Sequence, residues 1–204
     1  MPSLVASALT TGSLAAFEQP EIRGDGLLLR PWQEADRAAV IAGYADPSIQ
    51  RWHCRTMDEV EAAAWIAGWP QRWRAETGAG WAIVDLTAAD GPDDGQVAGQ
   101  ISFRRIDLVD AAAELSYWVL PAFRGRRIAP RAVAALTDWA FSRAGLHRLE
   151  LNHSTVNVAS CRVAEQAGYP AEGVKRAEAR HTDGWHDMHQ HARLATDRPG
   201  SASS

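Results

Sequence analysis

A strand, a helix and a second strand follow one another at the centre of the chain, and this order constrains the fold most. Residues 113–119 and 147–152 have strand-like apolar patterns, and residues 129–143 between them carry apolar side chains at helical spacing. A connecting helix favours a parallel pair of strands, because it is long enough to carry the chain back along the sheet. The sequence therefore predicts a parallel pair at the centre of a sheet.

The flanking segments favour antiparallel pairing. Residues 80–86 and 96–106 are strand-like and are joined by a linker at 88–95 that is dense in turn residues, which is typical of a hairpin. The other predicted elements are strands at 26–31, 169–180 and 185–194, a turn at 46–48, and helices at 33–44, 157–167 and 58–76, the last kinked or broken at Pro70. We expect the α/β class: a single domain with a mixed, mostly antiparallel twisted sheet of about seven strands, a central parallel strand pair and about four flanking helices.

Composition narrows the class of protein. A chain of 204 residues suits one domain, which we expect at residues 23–195, with disordered tails at 1–22 and 196–204. A net charge of −4 argues against nucleic acid as a partner, and no apolar run approaches the roughly 18 residues of a membrane helix. Cys54 and Cys161 are too far apart in the sequence to form a metal-ligand pair by spacing. These features predict a cytoplasmic protein with no membrane partner.

Residues 123–131 (Phe-Arg-Gly-Arg-Arg-Ile-Ala-Pro-Arg) form the most distinctive local segment. The segment lies between a predicted strand and the start of a predicted helix, where unpaired N–H groups and the helix dipole favour phosphate. Its four arginines offer guanidinium groups that suit phosphate oxygens. A solvated basic loop is the alternative that the residues alone leave open.

Residues 114–168 resemble the acetyl-CoA core of the GNAT superfamily of acyltransferases, and more narrowly its Rim-type branch of ribosomal-protein N-acetyltransferases. Residues 124–129 are similar to the family's Arg-Gly-x-Gly-x-Ala loop, and residues 157–169 are similar to its Asn-x-x-Ser … Gly-Phe segment. One departure is Arg127, which stands where the family usually has a second glycine, so weakened donor binding is an open alternative.

The resemblance implies that acetyl-CoA is the co-substrate. Its pyrophosphate would be bound by main-chain amides at 126–129, and its pantetheine arm would run beside the strand that ends at Val119. The predicted donor-binding residues are Trp118, Val119, Leu120, Arg124, Gly125, Arg126, Arg127, Ile128, Ala129, Arg131, Asn157 and Ser160.

Two residues are predicted to be catalytic. Glu114 would be the base that takes a proton from the amine, and the alternative is a carboxylate that pairs with a neighbouring arginine or faces solvent. Ser160 would contact the thiolate of the departing CoA, because Ala164 stands where many GNAT enzymes carry a tyrosine. The alternative for Asn157 and Ser160 is local hydrogen bonding at a helix start.

The acceptor side is expected to include Trp52, His53, Trp69 and Ser116. Trp65, Trp69 and Trp73 are spaced by four residues, so they share one helix face that could be an aromatic wall, a core or a dimer contact. The histidines at 181, 186, 189 and 191 lack a cysteine or carboxylate that completes a ligand set, so we expect no metal.

The predicted function is acetyl-CoA-dependent N-acetyltransfer to a primary amine by direct attack in a ternary complex. The acceptor would be a small-molecule amine or a protein N-terminus, and a homodimer is a further expectation. Two alternatives stay open: an enzyme that uses a non-acetyl or carrier-protein-bound acyl donor, and a degenerate domain that binds CoA without turnover.

Overall fold

The structure is a computed structural model that describes residues 4–87 and 95–197. Its strands are β1 (Ile22–Gly24), β2 (Leu27–Pro31), β3 (Ala79–Asp85), β4 (Gln96–Asp107), β5 (Ala112–Val119), β6 (Arg148–Ser154), β7 (Ala171–His181) and β8 (Gly184–Leu194). Its α-helices are α1 (Arg37–Ala45), α2 (Pro47–His53), α3 (Glu59–Arg74), α4 (Ile128–Ser142) and α5 (Val158–Gln166). Short 3-10 turns lie at Glu34–Asp36 and Pro121–Phe123.

One mixed sheet contains all eight strands of the described residues, in the order β1-β2-β3-β4-β5-β6-β8-β7. Only β5 and β6 pair in parallel among these strands, and the other neighbours are antiparallel. The predicted α/β class and central parallel pair are confirmed, with one strand and one helix more than expected.

Helix α4 explains the parallel pair. It carries the chain from the end of β5 back to the start of β6, and its apolar stripe packs on the sheet. Val133, Leu136 and Ala140 on that stripe are fully buried in the main core. The opposite face of the sheet is covered by α1, α2 and α3, which enclose a second core.

Tryptophans fill the second core. Trp69 is 6% exposed, its ring centroid lies 5.3 Å from that of Trp65, and both pack in the cluster that contains Trp118. A Cβ at Gly80 would meet the Trp69 ring at 2.4 Å, so this strand position requires glycine. The prediction that Trp69 contacts the acceptor is therefore wrong, because its side chain is buried in the second core.

Two local features differ from the sequence predictions. The turn expected at 46–48 begins helix α2, where Pro47 is in the first turn and the Asp46 carboxylate accepts a hydrogen bond from the Ile49 N–H at 3.0 Å. Helix α3 continues through Pro70, so of the predicted kink or break only the break is excluded. Proline and aspartate are common both in turns and at helix starts, so residue type alone did not separate these states.

Residues 4–21 differ from the expected disordered tail. Leu14 is 5% exposed in the main core, and the Glu76 carboxylate accepts hydrogen bonds from the N–H groups of Gly12 and Leu14 at 2.6 and 2.7 Å. These bonds outweigh the effect of burial and lower the pKa of Glu76. The Trp81 indole N–H donates to the Pro20 carbonyl at 2.8 Å. The segment is thus held by residues far away in the sequence.

Most of the predicted hairpin linker, at 88–94, and most of the predicted C-terminal tail, at 198–204, lie outside the described residues. Within residues 4–87 and 95–197, no helix is both long and apolar enough to cross a bilayer.

Candidate functional site

A large cavity opens where β5 and β6 separate. The two strands pair from Ala112 with Arg148 as far as Leu115 with Leu151. Beyond that point they no longer pair with each other, while β5 stays paired with β4 and β6 with β8. The wedge between them leads into a cavity of about 880 Å³ that is also lined by the start of α4, the start of α5 and the end of α2.

Most of the predicted site residues line this cavity. They are Trp52, His53, Glu114, Ser116, Trp118, Val119, Arg124, Gly125, Arg127, Ile128, Ala129, Asn157 and Ser160. Leu120, Arg126, Arg131 and Trp69 are not among its lining residues. Four segments that are distant in the sequence are therefore brought together at one place.

Three loop arginines have partners within the chain. Arg124 pairs with Asp46 at 2.7 Å, and Arg126 lies 3.5 Å from the Asp85 carboxylate. The Arg131 guanidinium pairs with the Asp25 carboxylate at 3.0 Å. These contacts tie the loop to β3, to the β1–β2 turn and to the start of α2.

Arg127 adopts the left-handed backbone conformation, which glycine adopts most readily. Its φ is 56° and its ψ is 26°, its side chain is exposed, and it caps the start of α4. The Arg131 N–H donates to the Arg127 carbonyl at 3.2 Å, so the N–H groups of Ile128 and Ala129 precede the first helical hydrogen bond and lie at the open helix end. The arginine therefore occupies a backbone conformation that glycine would adopt without strain.

Substitutions at Arg127 test whether acetyl-CoA binding depends on the main-chain amides of this turn or on the guanidinium group. Arg127→Gly is expected to bind acetyl-CoA with a Kd within about threefold of wild type, because glycine adopts positive φ without strain. Arg127→Val is expected to lose about 2 kcal/mol of stability and to bind acetyl-CoA more weakly, because a β-branched residue is strained there. Titration calorimetry with acetyl-CoA measures the Kd of each variant. Pantetheine, which lacks the pyrophosphate, is the comparison ligand. Loss of binding in Arg127→Gly would show that the guanidinium makes the contact.

Glu114 is held at the cavity wall by two donors. Its side chain accepts a hydrogen bond from the Asn152 amide at 3.2 Å and pairs with the Arg104 guanidinium at 2.9 Å, and the residue is 9% exposed. The pairing with an arginine that the sequence analysis considered is therefore present. The position at the cavity wall is also compatible with the predicted role as a base.

Tyr117 is a candidate that the sequence analysis missed. Its hydroxyl lies 2.8 Å from the Ser160 hydroxyl, and this contact joins β5 to the first turn of α5. Burial raises the pKa of Tyr117 to about 12, against the opposing effect of its hydrogen bond with Ser160. The Asn157 side chain accepts from the Ser160 N–H at 3.1 Å and caps α5. Because side chains alternate along a strand, Tyr117 lies on the face opposite to that of Glu114, and this alternation is the signal that the sequence offered.

His53 is neutral at the cavity wall. Its Nε2 lies 3.3 Å from the Tyr117 carbonyl, and because a carbonyl only accepts, this nitrogen carries the hydrogen. Burial is the main cause that lowers the pKa of His53 to about 4. A neutral imidazole with so low a pKa is a weak acceptor for a proton at neutral pH.

The low pKa of His53 predicts a pH-dependent stability. Unfolded His53 binds a proton near pH 6.5, whereas the folded residue resists protonation until about pH 4, so stability is lost as the pH falls through this window. When the pH is lowered from 8 to 5, the free energy of unfolding of wild type is expected to fall by about 2 kcal/mol more than that of His53→Gln. Urea unfolding at both pH values measures the difference, and the exposed His147, as His147→Gln, is the control that should behave like wild type.

The late histidines divide into two groups on opposite faces of the sheet. His181 and His186 lie 4.4 Å apart between ring centroids, next to Trp52. His189 and His191 instead lie near His153 and Cys161, two residues that the sequence analysis did not group with them.

Comparison with known proteins identifies the family. The family model described as the acetyltransferase (GNAT) domain matches residues 26–170. The chain is 25% identical over 159 residues to the N-acetyltransferase YoaA of Bacillus subtilis, covering 77% of this chain and 86% of that protein. It is 28% identical over 99 residues to the ribosomal-protein-serine acetyltransferase of Escherichia coli, covering 48% of this chain and 55% of that protein.

Solved structures share the fold. RimJ of Mycobacterium smegmatis in complex with CoA-disulfide has a TM-score of 0.77 and 24% identity, covering 88% of each chain. RimL, a ribosomal L7/L12 alpha-N-protein acetyltransferase in complex with coenzyme A, has a TM-score of 0.76 and 20% identity, covering 86% of this chain and 98% of that one. The resemblance inferred from the sequence motifs and the predicted enzyme class are confirmed: the chain belongs to the GNAT family of N-acetyltransferases.

Proposed function

We propose that the protein transfers an acetyl group from acetyl-CoA to the α-amino group of a protein N-terminus, by direct attack in a ternary complex. The observation that carries the proposal is the wedge between β5 and β6, which joins the open N-terminal end of α4 to the Glu114 side of the sheet. A donor arm and an amine can therefore approach each other from opposite ends of one cavity.

The donor lies along the wedge, with its pyrophosphate at the start of α4. The N–H groups of Ile128 and Ala129 point out of the helix end, and the helix dipole favours negative charge there. Gly125 and Arg127 both have positive φ, which supports a tight turn around a phosphate. Acetyl-CoA supplies the acyl thioester, and the β5 backbone from Ser116 to Val119 positions the arm that carries it.

Glu114 takes the proton from the incoming ammonium. Its carboxylate is fixed by Arg104 and Asn152 and borders the cavity, so it can reach the amine directly or through one water. His53 contributes to the wall and not to proton transfer, because its pKa of about 4 makes it a poor base.

Tyr117 and Ser160 protonate the leaving thiolate. The Ser160 hydroxyl donates to the sulfur, the Tyr117 hydroxyl donates to Ser160 in turn, and solvent in the open cavity returns a proton to Tyr117 before the next cycle. Either hydroxyl can donate in the 2.8 Å contact, so this order is allowed, and the raised pKa keeps Tyr117 protonated at neutral pH. The pair fills the role that Ala164 leaves open, because Ala164 is fully buried and carries no proton donor.

A peptide acceptor is favoured by strand β7. This strand ends the sheet, is mostly exposed, and contributes Glu178, Ala179 and Arg180 to the cavity lining. An edge strand offers unpaired N–H and C=O groups to an extended peptide. The names of the Escherichia coli relative and of RimL, which refer to ribosomal-protein acetylation, support the same acceptor class.

The test is an acceptor screen with acetyl-CoA. Peptides with a free N-terminus, matched N-terminally blocked peptides that contain lysine, and small primary amines are assayed by mass spectrometry and by thiol release. We expect acetylation of free N-termini, at a rate at least about 100-fold lower in Glu114→Gln. Acetylation of small amines alone would contradict the peptide acceptor, and acetyl-CoA binding without turnover on any amine would favour a different acyl donor or a non-catalytic domain. The homodimer and the cytoplasmic location stay predictions.

A further inference from the structure

A second cluster of reactive side chains lies on the face of the sheet that α5 covers. It consists of His153 on β6, His189 and His191 on β8, and Cys161 on α5. One ligand atom from each of the four residues lies within 4.8 Å of all the others. The strand register explains the convergence, because His153 is the direct partner of His189, and Leu151 on the same face is the partner of His191.

The hydrogen bonds of two of these histidines define which ring nitrogen is free. His153 Nδ1 lies 2.8 Å from the Ser154 carbonyl, and His191 Nδ1 lies 2.9 Å from the Tyr169 carbonyl. Because a carbonyl only accepts, each Nδ1 carries the hydrogen, and each neutral ring presents a lone pair on Nε2. This arrangement, with one ring nitrogen fixed by a carbonyl and the other free, is typical of metal-binding histidines.

Neither Nε2 has a hydrogen-bond partner among residues 4–87 and 95–197. His153 is 4% exposed and His191 is 2% exposed, so water does not readily replace a missing donor. Two buried lone pairs without donors are unfavourable in an ordinary core. A cation between them would satisfy both.

We propose that His153, Cys161, His189 and His191 bind one Zn²⁺ ion. Three imidazole nitrogens and one thiolate form a set that suits tetrahedral zinc, whose ligand atoms lie about 3.3–3.8 Å apart at normal bond lengths. Reaching that geometry from separations of up to 4.8 Å needs shifts of about 1 Å, within the range of side-chain rotation. This proposal replaces the expectation of no metal, which was made without His153 and Cys161 in the set.

Binding of the ion is balanced by loss of one proton. The Cys161 thiol donates to the Glu165 carboxylate at 3.6 Å, so Glu165 is positioned to receive the proton when the thiolate bonds to zinc. All four positions are then filled by protein, which is the arrangement of a structural site. The ion would link α5 to β6 and β8. Two residues of the candidate active site lie at the start of α5, Asn157 as its N-cap and Ser160 in its first turn.

The experiment is a zinc titration of the chelator-stripped full chain against a chromophoric competitor. We expect one equivalent to bind, and Cys161→Ser to bind at least about 100-fold more weakly, since even partners outside the ligand set change affinity by 10–100-fold. With Co²⁺ as the probe, thiolate-to-cobalt absorption is expected in wild type and not in Cys161→Ser. Cys54→Ser and His147→Ala, which change a cysteine and a histidine outside the cluster, should match wild type.

Thermal unfolding gives a second readout that does not depend on enzyme activity. Zinc should raise the Tm of wild type and of Cys54→Ser, and should leave that of Cys161→Ser unchanged. Equal zinc affinity in wild type and Cys161→Ser would overturn the proposal, as would absence of stoichiometric binding. Loss of binding in Cys54→Ser would also overturn it, because Cys54 lies beside His181 on the other side of the sheet.

Discussion

Glu114→Gln is expected to lower kcat by about 10²–10⁴-fold, the usual contribution of a general base, and to leave the KM for acetyl-CoA within about threefold. Glutamine keeps the size of the side chain and one acceptor oxygen for Arg104 or Asn152, which now use separate carboxylate oxygens, but it cannot take a proton from an ammonium. The α4 turn that we assign to the donor does not include Glu114, so donor binding should persist. Steady-state kinetics with the best acceptor of the screen, combined with calorimetry, separates the two effects.

Glu150→Gln is the matched control for this prediction. Glu150 lies opposite Glu114 in the β5–β6 register and pairs with Arg148, yet it is not among the residues that line the cavity. Its substitution should leave kcat unchanged. If Glu114→Gln kept kcat within about threefold of wild type, the carboxylate would serve only to pair with Arg104, and the base would have to be sought elsewhere.

Ser160→Ala and Tyr117→Phe are each expected to lower kcat by about 10²-fold, and the double variant by little more than either alone. The two hydroxyls form one path to the leaving sulfur, so removing either one interrupts the same step. The loss should be similar from pH 6 to 9, because Tyr117, with a pKa of about 12, does not titrate there. A double-mutant cycle on kcat, measured across that range, gives the coupling.

Tyr169→Phe is the control for loss of a buried tyrosine hydroxyl. The Tyr169 hydroxyl bonds to Thr137 at 2.5 Å in the main core, away from the cavity. This variant should lose stability, by about 1 kcal/mol, but keep kcat. Independent effects of Ser160→Ala and Tyr117→Phe that multiply in the double variant would contradict a shared proton path.

Much of the fold could be predicted because its rules are local. Apolar periodicity and glycine after helix ends depend on residues within a few positions, and they located most strands and helices to within a few residues. Local signals failed where one residue type serves two structures. Asp46 and Pro47 are typical of a turn and of a helix start alike, and only contacts of α2 with the rest of the fold select the helix.

The site was predicted only as separate pieces. The Arg-Gly loop, Glu114 and Ser160 were recognised from motifs, but the pairing of Tyr117 with Ser160 joins residues 43 positions apart. Trp69 was misplaced because a tryptophan stripe has the same spacing whether it lines a cavity or fills a core. Its burial is decided by Gly80 on β3, which leaves the space for the indole.

Local patterns along the chain were sufficient to predict most of the elements, the parallel pair implied by α4, and the family motif at the start of that helix. Three features depend on contacts between distant residues: the separation of β5 and β6 after Leu115, the bonds of Glu76 to the N–H groups of Gly12 and Leu14, and the convergence of three histidines and one cysteine under α5. The reason is physical: local periodicity encodes which face of an element is buried, whereas the partner of that face is chosen by contacts between residues far apart in the chain.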